Sequence, residues 1–599
     1  MVTLHVSNRD YTKWKFISEC KREPTLALSP LAAKLFHNDH LDQTGQLVAS
    51  PYRSKENICG VLLSSQKTYG RASNNKLLYK CVPDDVHLPC FLVPYEDKNI
   101  GFNKNQTDKY ITFKIKEWVE KHPQGLITNT FGEVEDTEAY IAYRMACKEM
   151  NDSLKILNAM SLRSLREKTL DPIPLYCNNI AIEDRRSFRI FSVDPAGCTD
   201  IDDAIGLRTL PNGQTILSIY IANVPMMLEY LQLWPYMTER VASIYLPAKK
   251  IPMLPIALSE NICSFREKTD RIAFVMDIAI PLAVGVRTST TIETYDGDIS
   301  ITFTSAIIQV EKNYTYQAAE LIAREDYKSL LKMVQNLNEV HFAYLEQIRT
   351  SHDVIEYCML FMNHECAKKL QSQKRGIFRT ASASSPTSAS SPTSASSPTS
   401  ASSPTSASSP TVSSPTASTS NPCPVELRQI VQGVAGEYCN YTNLKPHALI
   451  GVSCYLHITS PIRRIVDIVN MLEILAEKIK WSPEVIQFME KWQNNIDDIN
   501  IKTKAIRKLQ NEMELLENYQ KNKERTYSGL VFGKTLQENA LAPASEPLLY
   551  KYKVYIPDTK LLTTVKSAKN LNDYTTAHFS THLFLDETKM TKKIRLQML

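Results

Sequence analysis

Short apolar runs separated by polar turns mark the first 175 residues. The runs at 58–63 and 110–115 have strand length, as the strands of small barrels do. Residues 138–169 read as helix. From 188 to 310, strand-like runs at 188–193, 215–224 and 271–280 alternate with polar loops. Residues 315–375 are mostly helical, with expected helices at 313–323, 327–346 and 354–373. A second helical region starts at Ser460 and runs to about Lys523. The end of the chain returns to short strands at 549–555 and 560–565. The pattern predicts an α+β chain of several domains, and its 599 residues exceed what one hydrophobic core organises.

One stretch has no such pattern. From 382 to 411 the hexapeptide SASSPT repeats in five perfect copies, and a decayed copy follows through Pro415. The tract has no charge and no large apolar side chain, so disorder is expected across 380–422. It reads either as a neutral expansion in a surface loop or as a tether whose Ser-Pro and Thr-Pro steps accept phosphate. Loop closure costs only the logarithm of length, so such an insert can sit within a domain.

Composition narrows the class only a little. Hydrophobic residues are 43% and charged residues 22%, the balance of a soluble globular protein. The net charge of +5 permits nucleic-acid binding without arguing for it. The 13 cysteines form no Cys-x-x-Cys pair, which argues against a zinc ribbon and fits a reducing compartment. The polar start MVTLHVSNRDYTKWKF lacks a signal-peptide core, and the apolar stretch 272–286 is interrupted by Asp277 and Pro281. The expectation is an intracellular, soluble protein with no membrane partner.

The chemistry concentrates in D-P-A-G-C-T-D-I-D-D-A, which starts at Asp194 and follows the run FRIFSV. Pro195 and Gly197 stop the strand and make a loop. Four carboxylates, Asp194, Asp200, Asp202 and Asp203, then fall within ten residues with no Lys or Arg among them. Like charges this close raise one another's pKa values unless a cation binds. Three readings fit: a solvated acidic loop, a calcium loop, or a magnesium site for phosphoryl displacement. The spacing is not that of an EF-hand.

The segment FSVDPAGCTDIDDAIGLR resembles the signature of the ribonuclease II (RNB) family, D-P-x-x-x-x-D-x-D-D-A. Four further blocks resemble the family in its order. They are LSIYIANVPMMLEY; RVASIYLPAKKIPMLPIALSENICSFREKTDRIAFVMDI; EYCMLFMNHECAKKL; and HITSPIRRIVDIVN, which lies beyond the Ser/Pro tract. The flanks are similar to OB-type barrels. CVPDDVHLPCFLVPYE and KIKEWVEKHPQGLITNTFG resemble cold-shock-like domains, the latter through Trp118, Pro123, Gly125 and Gly132, and KYKVYIPDTKLLTTV resembles a closing RNA-binding barrel. The resemblance divides the chain into cold-shock-like OB domains at 1–95 and 96–175, a catalytic domain at 185–523 interrupted by the tract, and a C-terminal OB-type domain at 524–599.

The resemblance, both to the RNR-type ribonucleases and to the exosome-associated eukaryotic branch, implies a 3′-to-5′ exoribonuclease. It would hydrolyse single-stranded RNA to nucleoside 5′-monophosphates with Mg2+, Mn2+ serving as a substitute. The family's metal and catalytic aspartates correspond to Asp194, Asp200, Asp202 and Asp203, with Asp202 matching the one whose loss stops cleavage while RNA stays bound. Tyr245 matches the tyrosine beside the scissile nucleotide; otherwise it is a strand aromatic in a core. Arg463 matches the arginine on the terminal phosphates, and its planar fork suits phosphate. Arg464 either joins it on RNA or holds Asp467. Single-stranded RNA is the implied partner, with exosome-like or other RNA-processing proteins beside it. The alternative is an inactive RNB-fold RNA-binding or scaffold protein; the four intact carboxylates favour activity. The chain departs from the family at Tyr220 and Asn223 (for His and Asp), at Ile465 and Asn470 (for Tyr and His), and at Gln510, which aligns with a catalytic-site Glu while Glu512 lies close by.

Overall fold

The computed structural model describes residues 1–18, 28–96, 106–168, 182–280, 299–340, 342–381, 436–448, 450–523, 525–537, 549–559 and 561–599. The Ser/Pro tract lies outside them. Two compact units emerge, one of residues 1–152 with 582–595 and one of 153–581 with 596–599. The architecture is α+β, as the apolar pattern predicts.

In the first unit, a four-stranded sheet runs in the order Trp14–Ser18, Val2–Val6, His40–Leu41, Leu47–Ala49. Beside it in sequence, five strands close into a barrel: Ile58–Leu62, Leu77–Pro83, Phe91–Tyr95, Gln124–Glu133 and Lys109–Glu117. The apolar runs at 58–63 and 110–115 are two of these strands. Closure buries Leu62, Tyr79, Phe91, Val93, Ile111 and Phe113 in one core. Gly125 is required by a close approach, since a Cβ there would lie 2.7 Å from the Phe113 ring. The barrel's strands fall on both sides of residue 95, where the sequence placed a division.

The second unit is built on a seven-stranded sheet. Its order is Ile182–Asp184, Ser300–Gln309, Asp270–Ile280, Thr215–Ala222, Asp203–Thr209, Phe191–Asp194, Lys312–Thr315. The two outer pairings are parallel and the rest antiparallel. Thr215–Ala222 is buried along nearly its whole length, so apolar side chains meet cover on both faces. The helices Glu325–Val340, Ser351–Ser372, Ile465–Leu475, Pro483–Asn494 and Ile496–Lys521 belong to the same unit. Among the described residues, no helix is long and apolar enough to cross a membrane.

Two helix expectations, at 313–323 and 327–346, are corrected by the structure. Residues 313–323 open as a strand, Lys312–Thr315, and only Ala319–Ala323 is helical. Asn313 there donates to Ser192 Oγ (2.8 Å) and the Phe265 carbonyl (2.9 Å), so tertiary partners override local preference. The helix expected at 327–346 ends at Val340. The Asn338 side chain exchanges hydrogen bonds with the Leu345 backbone and turns the chain back. The helical region expected from Ser460 to about Lys523 is present as three helices that open at Ile465, the second starting on Pro483.

The Asp277 carboxylate, read from sequence as a break in an apolar run, is the centre of a buried ion network. Arg185 donates to both its oxygens (2.9 and 2.6 Å), Arg208 donates at 3.0 Å and Ser218 at 2.5 Å. These bonds tie the chain after Ile182–Asp184 to the sheet interior. Asp277→Asn should destabilise the protein by about 3–5 kcal/mol, because the fully buried Arg185 loses its main counter-charge. A denaturant midpoint unchanged from the unsubstituted protein would refute that role.

Candidate active site

The four aspartates stand at one end of the sheet. Asp194 ends its strand, and Asp203 begins the neighbouring antiparallel one. Pro195 and Gly197 form the loop between them; Gly197 adopts φ +80°, a left-handed conformation that favours glycine. The loop folds back because Ser264 clamps it, accepting from the Ile201 N–H (3.0 Å) and donating to the Thr199 carbonyl (2.9 Å).

A second stretch completes the site from 260 residues away. Ser460–Arg464 forms a turn before its helix, closed by the Arg463 and Arg464 N–H groups donating to the Ser460 carbonyl (3.2 and 3.0 Å), and the Ile462 N–H donates to Asp202 Oδ1 (2.9 Å). Arg463 Nε lies 3.4 Å from Asp202 Oδ2. A third stretch is clipped to the second by backbone bonds, from Ser243 N–H to the Arg463 carbonyl (3.0 Å) and from Ile465 N–H to the Val241 carbonyl (2.9 Å). Tyr245 thereby reaches the aspartates, and its hydroxyl donates to Asp200 Oδ2 (2.7 Å). The residue is 38% exposed, so Tyr245 is not a core aromatic.

Burial first, and neighbouring negative charge second, disfavours ionisation of three of the carboxylates. Burial pushes Asp202 up to about 7, against the pull of Arg463 and the Ile462 N–H. Burial pushes Asp194 up to about 6, with Asp200 adding to the rise. Asp203 goes well above the carboxylate range through burial and the charges of Asp194 and Asp202. Asp194 Oδ2 is buried with no hydrogen-bond partner. Hard carboxylate oxygens, one of them orphaned, are what a divalent cation such as Mg2+ binds, so the residues present fit such an ion.

Arg464 takes the structural alternative, donating to buried Asp467 (2.8 Å). Asp467 Oδ1 also accepts from the Ser460 N–H (2.7 Å), which fixes the turn that presents Arg463. The departures from the family pattern have structural work. Asn223 caps the helix Val224–Tyr230 by accepting from the Met226 N–H (3.2 Å). Asn470 is buried and bonds the backbone of Ile377 and His457. Gln510 donates to the Tyr245 carbonyl (3.0 Å).

Sequence reasoning missed a basic cleft of about 630 Å3 that borders Tyr245 and Arg463. Its walls include Arg379 and Tyr438, direct partners in the hairpin Ile377–Thr380 and Glu437–Asn440 that frames the Ser/Pro tract. Arg507 lines it from the helix Ile496–Lys521. His457, also on the wall, is held well below its usual pKa by burial first and then by Arg464 and Arg379. Tyr316 was missed as well; burial, then Asp203 and Asp194, push its hydroxyl up to about 12. No local motif links these positions; only folding assembles them.

Comparison with known proteins gives consistent relatives. The RNB domain family model matches residues 182–349 and 329–477. The Exosome complex exonuclease RRP44 homolog A of Arabidopsis thaliana is 28% identical over 239 residues, 39% of this chain and 24% of that protein. The match thus spans about a quarter of the relative's length. The apo form of Mycoplasma genitalium RNase R superposes with a TM-score of 0.60 at 15% identity, covering 100% of both chains. Yeast Ssd1, described as a pseudonuclease, superposes with a TM-score of 0.51 at 12% identity, covering 91% of this chain and 69% of that one.

Proposed function

The chain carries an RNB domain, and from that premise we propose that it is a hydrolytic exoribonuclease. It shortens single-stranded RNA from the 3′ end and releases nucleoside 5′-monophosphates. The observation that carries the reading is the convergence of four carboxylates, Tyr245 and Arg463 beside an arginine- and tyrosine-lined cleft. We assign Asp194, Asp200, Asp202 and Asp203 to metal and catalysis, with Mg2+ as the ion and Mn2+ as its substitute.

The bound ion supplies positive charge against the phosphate oxygens and lowers the pKa of water. The chain's own groups do the rest. Arg463 binds a phosphate oxygen next to the cut, and its half-exposed side chain is free to reach it. The Tyr245 ring, steered by Asp200 through its hydroxyl and by Gln510 through its backbone, offers a face for a base. The basic cleft takes the strand's phosphates, and Arg464 reaches RNA only as part of that wall. Before a catalytic domain at 185–523 in sequence, the closed barrel of residues 58–133, which spans the expected division at 95, adds surface for single strands, as do the C-terminal strands within 524–599. The exosome named for the Arabidopsis relative makes an exosome-like assembly the first protein partner to seek.

The test is purified protein with 5′-labelled single-stranded RNA and Mg2+, resolved on a denaturing gel. The expected result is labelled fragments that shorten progressively from the 3′ end. RNA that binds and stays intact would instead favour an inactive scaffold, a pseudonuclease as yeast Ssd1 is.

A pH dependence follows from the carboxylates. Folding raises Asp194 to about 6 and Asp202 to about 7, so the folded metal-free chain holds more protons than the unfolded one above the ordinary carboxylate pKa. Their stabilisation is therefore full below about pH 4 and lost as pH rises through about 6 to 7. A cation that replaces those protons should raise the melting temperature more near pH 8 than near pH 5. Equal gains at both pH values, read by calorimetry with and without Mg2+, would count against the metal assignment.

A further inference from the structure

We propose that Lys250 is a resident cation of the aspartate cluster, a positioning residue that supplies the site's second positive charge. The chain then takes one divalent ion per active site and not two. The inference rests on the metal reading above and narrows it: Asp194, Asp202 and Asp203 take the ion, and Asp200 holds Tyr245 and Lys250.

Tyr245 and Lys250 are direct partners across a two-stranded antiparallel pair, Ile244–Tyr245 with Lys250–Ile251. Both side chains reach the same carboxylate, one oxygen each. The Tyr245 hydroxyl takes Asp200 Oδ2 at 2.7 Å, and Lys250 Nζ takes Asp200 Oδ1 at 3.1 Å. Each oxygen of Asp200 is thus already engaged. Lys250 also contacts Thr199 Oγ1 (3.0 Å) and Glu260 Oε1 (2.7 Å). An ammonium has three N–H donors, and three acceptors stand ready for them. The lysine side chain is only 20% exposed and that of Asp200 7%, so the pair is fixed in place.

The other half of the cluster differs. Asp194 Oδ2 is buried without a partner, and no ammonium is bonded to Asp194 or Asp203 among the described contacts. Asp194 and Asp203, with Asp202 beside them, therefore share the single nearby guanidinium of Arg463 as the positive charge facing them among the described contacts. A divalent ion is drawn there. A second one at Asp200 would displace or face the Lys250 ammonium, and like charges at contact distance repel.

Mn2+ binding to the full RNA-free chain tests this, counted by calorimetry and by the electron paramagnetic resonance of free Mn2+. One ion per chain is expected. Lys250→Met should bind two, while Lys250→Arg should keep one. Cleavage by Lys250→Met should fall about 10–100-fold at low Mg2+ and recover with a second-order dependence on Mg2+. Two ions on the unsubstituted chain would overturn the proposal while leaving the metal reading intact, and that count decides even if a variant misfolds. Lys250→Met staying at one ion would overturn it too. No ion bound at all would overturn both.

Discussion

Asp202→Asn should abolish cleavage of single-stranded RNA, by roughly 10³-fold or more, while RNA affinity stays within a few-fold of the unsubstituted protein. The substitution is nearly isosteric at a buried position. The amide oxygen can still accept the Ile462 N–H, so the contact that docks 460–464 onto the aspartate loop survives. What disappears is the negative charge facing Arg463 and its neighbouring carboxylates. A neutral amide is a poor ligand for a hard cation. Affinity depends on phosphates held along the cleft, where Arg379, Arg463 and Arg507 keep their charge. Gel-shift and single-turnover cleavage on the same RNA separate the two effects. Unchanged turnover would sink the assignment, and an equal loss of binding and cleavage would mean that the site's role is to hold RNA.

On the proposed exoribonuclease reading, circular RNA should resist the protein while its linear counterpart is consumed, and DNA of the same sequence should also be spared. An enzyme that starts at a 3′ end finds none in a circle, so the expected protection is essentially complete. Discrimination against DNA requires a contact to the ribose 2′-OH, the group on which the two backbones differ. Arg463→Ala belongs to the same experiment. It should slow cleavage of linear RNA more than it weakens binding of long RNA, because it removes one phosphate contact near the cut and leaves the rest of the cleft. A ladder of internal products from circular RNA would mean endonuclease chemistry and would overturn the proposed polarity.

Much of the fold was legible in the sequence where apolar periodicity was strong. The runs at 58–63, 110–115, 215–224, 271–280 and 549–555 are strands in the structure, with ends shifted by a few residues. The failures occur where a distant partner decides. Residues 312–315 become an edge strand because Phe191–Asp194 pairs with them and Asn313 finds Ser192 and Phe265. The helix at 325–340 stops where Asn338 captures Leu345. No local window of sequence contains those partners.

The candidate site divides in the same way. Sequence alone grouped the four aspartates, since ten consecutive residues contain them all, but left a solvated loop, a calcium loop and a magnesium site open, and the fold of the loop is set by the distant Ser264. Resemblance added Tyr245 and Arg463. Tertiary structure decided which of two neighbouring arginines faces the aspartates: Arg464 is taken by Asp467, three residues on, and Arg463 is left to reach Asp202. It also decided that Lys250 sits against Asp200 and that Arg379, Tyr438 and Arg507 share a cleft. The physical reason is range. Strand pattern and loop chemistry act over a few residues, whereas contacts between charges depend on position in space, which for residues 50 to 260 apart only the packed fold sets.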